Sequence, residues 1–520
     1  MIAVATAIVA RQTPALAWGG AILVGLAIAR AVTRLSVARI RAAGFEMLWR
    51  QPERVRAVAR NETVALQAEV RNRDTRAARY VELRAVASPN LEIEVEPSSG
   101  EVPAGGRLEV IVRVTAPRVG QHGVHGLSLE VQGSPGLFEV PLTFANPYGI
   151  NVLPRPYSTA LHSARGGRSR HGADVGRPGP LAGHGLELKE LREHAPGDPF
   201  KHIAWKASAR RGKLMVREYE QEERDVVWLI LDASVELWSG AIGKAPLDIA
   251  IDEVAAIAGR HLARGDRVGL AICASRTLCY LPAESGPGHL GRLMAALAHS
   301  AATVDADRSD FDEADVGLRV LEHLRPLDPE AASRVRPAEL DRIARRAARA
   351  LPRAPFQVRE PLGNSNRERT LRQYLLAFGI GSAPRQEPER AATDRTLCAV
   401  LAKIGREKPR PSLLVIWSPS PDLSARSDIA QALSRLPRRR SRVLWVPMSF
   451  EPGLPRTDLV TDAVAEALSL RERAQDGRGE RGLRQLGVRV LRARPKHARL
   501  PLSPQATDAA QPEADERSVT

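Results

Sequence analysis

The first fifty residues contain a long apolar run that ends in positive charge. Residues 14–29 ("PALAWGGAILVGLAIA") are uncharged, and they are followed by Arg30, Arg34, Arg39 and Arg41. Such a run is close to the minimum of about 17 residues that spans a bilayer, and arginines after it keep the rest of the chain in the cytoplasm. A signal peptide is the alternative, because "AIA" at 27–29 resembles a cleavage site. We expect residues 1–50 to form a transmembrane anchor and a basic juxtamembrane helix. The sequence leaves open whether one or two helices span the membrane.

The pattern changes to short alternating segments over residues 51–150. "TVALQAEVRN" (63–72) and "RLEVIVRVTAP" (107–117) alternate apolar and polar positions between turn residues. This spacing predicts an all-β, Ig-like sandwich. His122 and His125 lie in a Gly-rich stretch without an acidic or Cys companion, which favours loop histidines over a metal pair. A linker rich in Gly, Arg and Ser is expected over residues 151–185.

From residue 186 onward, apolar strands alternate with helical patterns. "VVWLIL" (226–231), "RVGLAIC" (267–273), "SLLVIW" (412–417) and "RVLWVPM" (442–448) are the clearest strands. Strands that alternate with helices predict a Rossmann-like parallel sheet covered on both faces, with ligand sites at the carboxyl ends of the strands. We expect this α/β domain over residues 186–500, with an insertion at about 301–392 and a disordered tail over 501–520.

Composition narrows the function classes. The net charge of +16 points to anionic partners, although Arg and Ala interleaved as in "DRIARRAARALPRAP" (341–355) are typical of solvated helix faces. The three cysteines show no CxxC spacing, and no GxxxxGK[ST], GxSxG or HExxH motif is present. Aromatic residues make up only 4% of the chain, so we expect no nucleic-acid partner.

One stretch combines a turn, a basic helix and an alternating strand: "HAPGDPFKHIAWKASARRGKLMVREYE" (194–220). We expect Asp198 to cap a helix of about 12 residues that ends at Gly212. His202, Lys206 and Arg210 recur at four-residue spacing and share one face, so we expect them to bind an acidic partner, while Trp205 packs inward. An ordinary solvated helix with an edge strand is the alternative.

The same stretch resembles a known family. "LELKELREHAPGDPFKHIAWKASARRGKLMVREYEQEE" (186–223), followed by "VVWLILDAS" and "GDRVGLAICASRTLCYLP", is similar to the domain of unknown function 58 family, whose members look like von Willebrand factor A domains. The resemblance is strong over about residues 186–297. The family motif is carried by Pro196, Gly197, Asp198, Trp205, Lys206, Ser208, Arg210, Val216, Arg217 and Glu218. The resemblance implies a bacterial protein of the inner (cytoplasmic) membrane, encoded beside a MoxR-type AAA+ ATPase and without established enzymatic activity.

The resemblance also implies a magnesium site. A von Willebrand factor A domain binds Mg²⁺ through an Asp-x-Ser-x-Ser loop, because a hard cation needs about six oxygen ligands. This chain offers Asp232 and Ser234, but Glu236 stands in place of the third hydroxyl. Ser418 follows a later strand where many such domains have an acidic residue, and Thr393 would supply a hydroxyl. We therefore expect a degenerate, metal-free site and no cofactor, with Mg²⁺ binding as the alternative.

These observations predict a membrane-anchored, non-enzymatic scaffold that joins a MoxR-type ATPase to a substrate or assembly. A metal-dependent hydrolase that uses the Asp232 cluster is one alternative. Binding to an anionic surface, either lipid or nucleic acid, is the other. The sequence leaves the oligomeric state, the substrate and the physiological process open.

Overall fold

A computed structural model describes most of the chain. It covers residues 13–43, 45–132, 138–155, 177–195, 198, 200–238, 240, 242–300, 306, 308–328, 334–383, 390–423, 427–436, 441–448 and 459–491. Helix α1 (Thr13–Ala43) contains a mostly exposed stretch, Leu16–Ser36, with a mean hydropathy of 1.7. Among the described residues, it is the one helix long and apolar enough to cross a membrane, and a signal sequence has the same properties. Residues 2–10 and the tail 501–520 lie outside the described residues.

Two sheets pack face to face after this helix. The first, in spatial order, consists of β1 (Glu46–Trp49), β3 (Thr63–Arg71), β7 (Arg107–Thr115) and β5 (Glu92–Glu96), all antiparallel. The second consists of β2 (Val55–Ala59), β9 (Glu139–Leu153), β8 (Gly120–Gln132), β4 (Ala78–Ala87) and β6 (Gly100–Val102), of which β2 and β9 are parallel. Inward positions such as Leu66, Val112 and Leu127 form their shared core. The β-rich region therefore lies where the alternation of apolar and polar residues predicted it.

Beyond the sandwich lies a six-stranded sheet with helices on both faces. Its spatial order is β14 (Thr277–Glu284), β13 (Arg267–Cys273), β12 (Val226–Asp232), β15 (Leu413–Ser418), β16 (Arg442–Pro447) and β17 (Arg489–Val490). Helices α3 (Pro246–Ala263) and α4 (Pro287–Ser300) contribute to the core on one face. The core on the other face uses α8 (Arg390–Ile404), α9 (Ser427–Ser434) and α10 (Leu459–Gln485). The sheet is parallel as predicted, except that β14 runs antiparallel to β13 at the edge.

The predicted insertion contains helices with their own core. Helices α5 (Glu313–Leu327), α6 (Leu340–Ala350) and α7 (Asn366–Ala377) pack around Val320, Ile343 and Leu371. They contact the sandwich through His125 on β8, which donates a hydrogen bond to the carbonyl oxygen of Phe378 over 2.6 Å. His323 on α5 continues this chain, with its Nε2 2.9 Å from His125 Nδ1. The expectation that His122 and His125 lie in a loop was wrong, because both are buried in strand β8.

Two partly buried arginines join the sandwich to the α/β domain. Arg60, after β2, forms an ion pair with Asp252 on α3 and donates to the carbonyl oxygen of Gly243 over 2.8 Å. Arg118, before β8, makes two contacts of 3.1 Å with the carboxylate of Asp248. The two parts are therefore held by side-chain contacts as well as by the connecting chain.

The predicted linker is shorter than expected. Strand β9 continues to Leu153, and a new strand, β10 (Arg177–Glu193), begins inside the range 151–185. It pairs antiparallel with β11 (Met215–Glu223). Residues 156–176 lie outside the described residues. The motif stretch thus contains the connection between β10 and β11 and most of β11 itself.

Candidate functional site

The carboxyl ends of two neighbouring strands bring the predicted acidic cluster together. Asp232 is the last residue of β12 and Ser418 is the last residue of β15. Ser418 Oγ donates to Asp232 Oδ2 over 2.7 Å, and the backbone N–H of Ser234 donates to Asp232 Oδ1 over 3.0 Å. Glu236 lies in the 3₁₀ turn that follows. The parallel strands therefore place these side chains at one edge of the sheet, as the sequence predicted.

Arg390, the first residue of α8, inserts its guanidinium among these oxygens. Its side chain is only 15% exposed. Nη2 lies 2.7 Å from Asp232 Oδ2 and 3.1 Å from Ser418 Oγ. Nη1 lies 3.0 Å from Glu236 Oε1 and 3.4 Å from Ser234 Oγ. A cationic side chain thus lies at the position where the sequence suggested a possible Mg²⁺ site.

Asp394 completes the surroundings of this guanidinium. One helical turn after Arg390, its Oδ1 accepts from Nε over 2.9 Å. A guanidinium has five N–H donors, and five acceptor atoms surround this one. Burial disfavours the charge on Arg390, but the carboxylates of Asp232, Asp394 and Glu236 outweigh it and raise the pKa of the guanidinium above its ordinary value. Arg390 is therefore a permanent cation.

The residues at the strand ends bind a guanidinium in this structure. Of the predicted ligands, the structure brings together Asp232, Ser234, Glu236 and Ser418. Thr393 is buried on α8. Within the part of the chain that the structure describes, no group of three or more His, Cys, Asp or Glu side chains is arranged to hold a metal ion. Arg390 and Asp394 were not predicted as site residues, although their i, i+4 spacing on either side of Thr393 was a signal in the sequence.

The motif helix is shorter than expected and is not capped by Asp198. Helix α2 spans Trp205–Arg211, and its N-cap residue Ala204 makes no side-chain cap bond. Asp198 instead binds Arg192 through both carboxylate oxygens, at 2.6 and 2.7 Å, and accepts from the backbone N–H of Ala195. These hydrogen bonds, with Arg192 first, lower the pKa of Asp198 to about 2. Asp198 therefore fixes the turn that follows β10.

Helix α2 is attached to the start of β11. The backbone N–H of Ala204 donates to the carbonyl oxygen of Met215 over 2.8 Å. Ser208 Oγ accepts from the N–H of Met215 over 2.8 Å and donates to the carbonyl oxygen of Ala204. Gly212, with φ of 65°, ends the helix as predicted, because this left-handed conformation favours glycine. The buried side of α2 is therefore the side that carries Ala204 and Ser208.

Trp205 does not pack inward, and this expectation was wrong. Successive helical residues are rotated by about 100°, so with Ala204 and Ser208 turned towards β11, Trp205 faces solvent. Its side chain is 65% exposed, and Phe200 and Leu214 are exposed by 76% and 47%. We call these three side chains, Phe200, Trp205 and Leu214, the apolar patch. Large exposed aromatic side chains are typical of contact surfaces.

The remaining motif residues divide between surface and core. Lys206, Arg210 and Arg217 are exposed, and His202 is partly exposed. Ser208 and Val216 are buried. Pro196 and Gly197, together with the side chain of Glu218, lie outside the described residues. The cationic side chains thus accompany the apolar patch on the surface of one short segment.

Comparison with known proteins supports part of the sequence assignment. Residues 190–348 match the model of a family described as "Protein of unknown function DUF58". "Uncharacterized protein Rv1480" of Mycobacterium tuberculosis and "Uncharacterized protein Mb1516" of Mycobacterium bovis are each 29% identical over 156 residues, which is 30% of this chain and 48% of theirs. The chain thus spans about half the length of these curated relatives. These matches support the predicted similarity to the DUF58 family over this region, whereas the likeness to von Willebrand factor A domains stays a prediction.

The similarity to solved structures is weak. The PapD-like domain 7 of human CEP192 aligns with 21% of this chain and 84% of its own, at 14% identity and a TM-score of 0.17. A similarity of this size does not identify a shared fold.

Proposed function

We propose that this protein is a membrane-anchored, non-enzymatic binding module that works with a MoxR-type AAA+ ATPase and contacts it through the apolar patch. The observation that carries the proposal is the exposure of Phe200 and Trp205 in a segment held by backbone hydrogen bonds to β11. An aromatic side chain on a backbone that is already ordered binds at low entropic cost, because only its two χ angles remain to be fixed. The ATPase itself is proposed from the family resemblance.

The charges beside the patch favour an acidic partner surface. Lys206 and Arg210 are four residues apart on α2, and both are exposed. Interfaces commonly combine an apolar centre with a polar rim, and rim charges increase the rate of association with an oppositely charged surface. We therefore assign the apolar contact to Phe200, Trp205 and Leu214 and electrostatic steering to Lys206 and Arg210.

The membrane anchor in this proposal is α1. Its apolar stretch is followed by basic residues, which favours a cytoplasmic location for the domains after it. The first domain starts immediately after the helix, where Phe45 stacks on Phe144 with their ring centroids 5.8 Å apart. Arg39 near the end of α1 also pairs with Asp74 over 2.9 Å. These contacts favour a sandwich held close to the membrane surface.

The alternative of a metal-dependent hydrolase has less support. Such an enzyme would use Asp232 and Glu236 as metal ligands or as a base. Both carboxylates are bound to Arg390, and Asp232 also accepts from Ser418. These ion pairs and hydrogen bonds within the cluster favour a structural role for it.

A second candidate function, binding to an anionic surface, is favoured by helix α6. Its inner side carries Ile343, Ala344 and Ala347. Its outer side carries arginines that, with Arg334, line a depression of about 320 Å³, namely Arg342, Arg345, Arg346 and Arg349. Anionic lipid headgroups attract such a cluster when the chain is held at a membrane. In a flotation assay, the protein should rise with vesicles that contain phosphatidylserine. The double variant Arg345→Glu and Arg349→Glu should bind these vesicles less than wild type does, with a smaller loss of binding to neutral vesicles.

Capture of the ATPase from membranes tests the main proposal. Full-length protein carrying Phe200→Ala and Trp205→Ala would be compared with wild type in membranes that contain the MoxR-type ATPase held in its ATP-bound state. Leu362→Ala is the matched control, because Leu362 is an exposed apolar side chain in the insertion, at 48% exposure. Wild type and the control should recover the ATPase, and the double variant should not. Equal recovery by all three proteins would contradict the proposal.

A further inference from the structure

We propose that Arg390 is a built-in cation that permanently takes the place of a divalent ion at the ends of strands β12 and β15. Arg390 would have this role whichever partner binds the apolar patch. It rests on the contacts of one side chain with five others. It also predicts that a single substitution converts the cluster into a metal site.

The guanidinium of Arg390 lies among oxygens from four parts of the chain. It binds oxygens from the end of β12, the turn after it, the end of β15 and helix α8, supplied by Asp232, Ser234, Glu236, Ser418 and Asp394. Carboxylate and hydroxyl oxygens are the ligands that a hard divalent cation prefers. The oxygens available for a metal ion are therefore the oxygens that Arg390 already binds.

The number of donors is the second argument. The Nε atom has one acceptor, and Nη1 and Nη2 have two each. All five N–H groups of the guanidinium are thus directed at groups of this chain. A bound metal ion with an open coordination position would accept a carboxylate from a partner, whereas this guanidinium has no donor left to offer. The cluster is consequently closed to a carboxylate ligand.

The local charge is the third argument. Three carboxylates, from Asp232, Glu236 and Asp394, surround one guanidinium. Asp232 is almost fully buried, and the Asp394 side chain is only 12% exposed. Removing Arg390 would leave three carboxylates that now contact the same guanidinium without a cation, and we expect this excess of negative charge to favour uptake of a divalent ion. The same change would loosen the start of α8, because Arg390 is its first residue.

Metal binding by full-length variants tests the inference. Mn²⁺ binding would be followed by titration calorimetry and by electron paramagnetic resonance, and thermal unfolding would be recorded with and without Mg²⁺. Arg390→Ala and Arg390→Gln remove the cation, and Arg390→Lys retains one. Arg395→Ala is the matched control, because Arg395 is exposed on the same helix and donates to the carbonyl oxygen of Ala391.

We expect Arg390→Ala or Arg390→Gln to bind Mn²⁺ and to gain thermal stability from Mg²⁺, since a ligand that binds the folded state stabilises it. Adding Asp232→Asn to either variant should abolish both effects. Wild type, Arg390→Lys and Arg395→Ala should show neither effect. Binding of Mn²⁺ to the wild-type protein that is lost on Asp232→Asn would overturn the inference. Folded Arg390→Ala and Arg390→Gln proteins that gain no Mn²⁺ binding would overturn it as well.

Discussion

The ion pair between Arg60 and Asp252 gives the most quantitative prediction about the fold. The Arg60 side chain is 11% exposed and that of Asp252 is 1% exposed. In Arg60→Ala, the carboxylate of Asp252 would keep the backbone N–H of Arg155 as a donor, 3.0 Å away, but would lose its charged partner. Removing one member of a buried pair costs about 3 to 5 kcal/mol. We expect a loss of this size in the free energy of unfolding.

The loss should depend on pH. Burial raises the pKa of Asp252 from 3.8 to about 6, and the charge of Arg60 opposes that rise. A folded-state pKa above the unfolded value gives stability that is fully present below pH 3.8 and is lost as the pH rises through 6. Without Arg60, the pKa of the carboxyl rises further. The deficit of Arg60→Ala relative to wild type should therefore grow as the pH rises through about 6.

Urea unfolding of detergent-solubilised protein, followed by tryptophan fluorescence and circular dichroism, measures the effect. Arg84→Ala is the control, since Arg84 is 60% exposed beside Glu82, and such a pair contributes about 0 to 1 kcal/mol. Adding Asp252→Asn to Arg60→Ala should recover part of the loss. If Arg60→Ala is as stable as Arg84→Ala at pH 8, the ion pair does not join the sandwich to the α/β domain.

Three further predictions concern the patch, the buried histidines and the anchor. Trp205→Ala should change the free energy of unfolding by no more than about 0.5 kcal/mol, because the side chain is exposed, and a loss several times larger in urea titrations would show that the ring is buried. Burial lowers the pKa of His125 to about 4 and that of His323 well below 6.5, so stability should be lost as the pH falls from 6.5 towards 4. His323→Gln should make this fall in melting temperature shallower, and an unchanged profile would contradict a titrating pair. Fractionation should recover the full chain in the inner membrane, with a reporter fused after Thr520 on the cytoplasmic side, whereas a soluble product cleaved near its N-terminus would show that α1 is a signal sequence.

Much of the fold was predictable because its periodicity is local. Apolar and polar residues alternate in β3 and β7, and β12 and β15 are uninterrupted apolar runs. Both patterns are set by residues that are neighbours in sequence. The meeting of Asp232 and Ser418 also followed from the sequence, because the carboxyl ends of adjacent parallel strands share one edge. Helix α10 was not predicted, since charged residues interrupt its apolar pattern.

The contents of the site were harder to predict. Arg390 reaches Ser234 across 156 positions of sequence, and a helical insertion separates them, so no local pattern pairs them. Trp205 was misplaced because α2 has only 7 residues, and in so short a helix the positions of apolar residues do not define the buried face. That face is defined by the hydrogen bonds of Ser208 to Met215 and Ala204.

Cross-linking from within the apolar patch tests most directly whether the patch contacts the ATPase. A photo-cross-linking amino acid would replace Trp205 in the full-length protein, and a second protein would carry it in place of Leu362, which is also exposed. Irradiation of membranes that contain the MoxR-type ATPase should join the ATPase to the protein labelled at position 205 and not to the protein labelled at position 362. Cross-linking of the ATPase from position 362 alone, or from neither position while the two proteins still co-purify, would contradict the account.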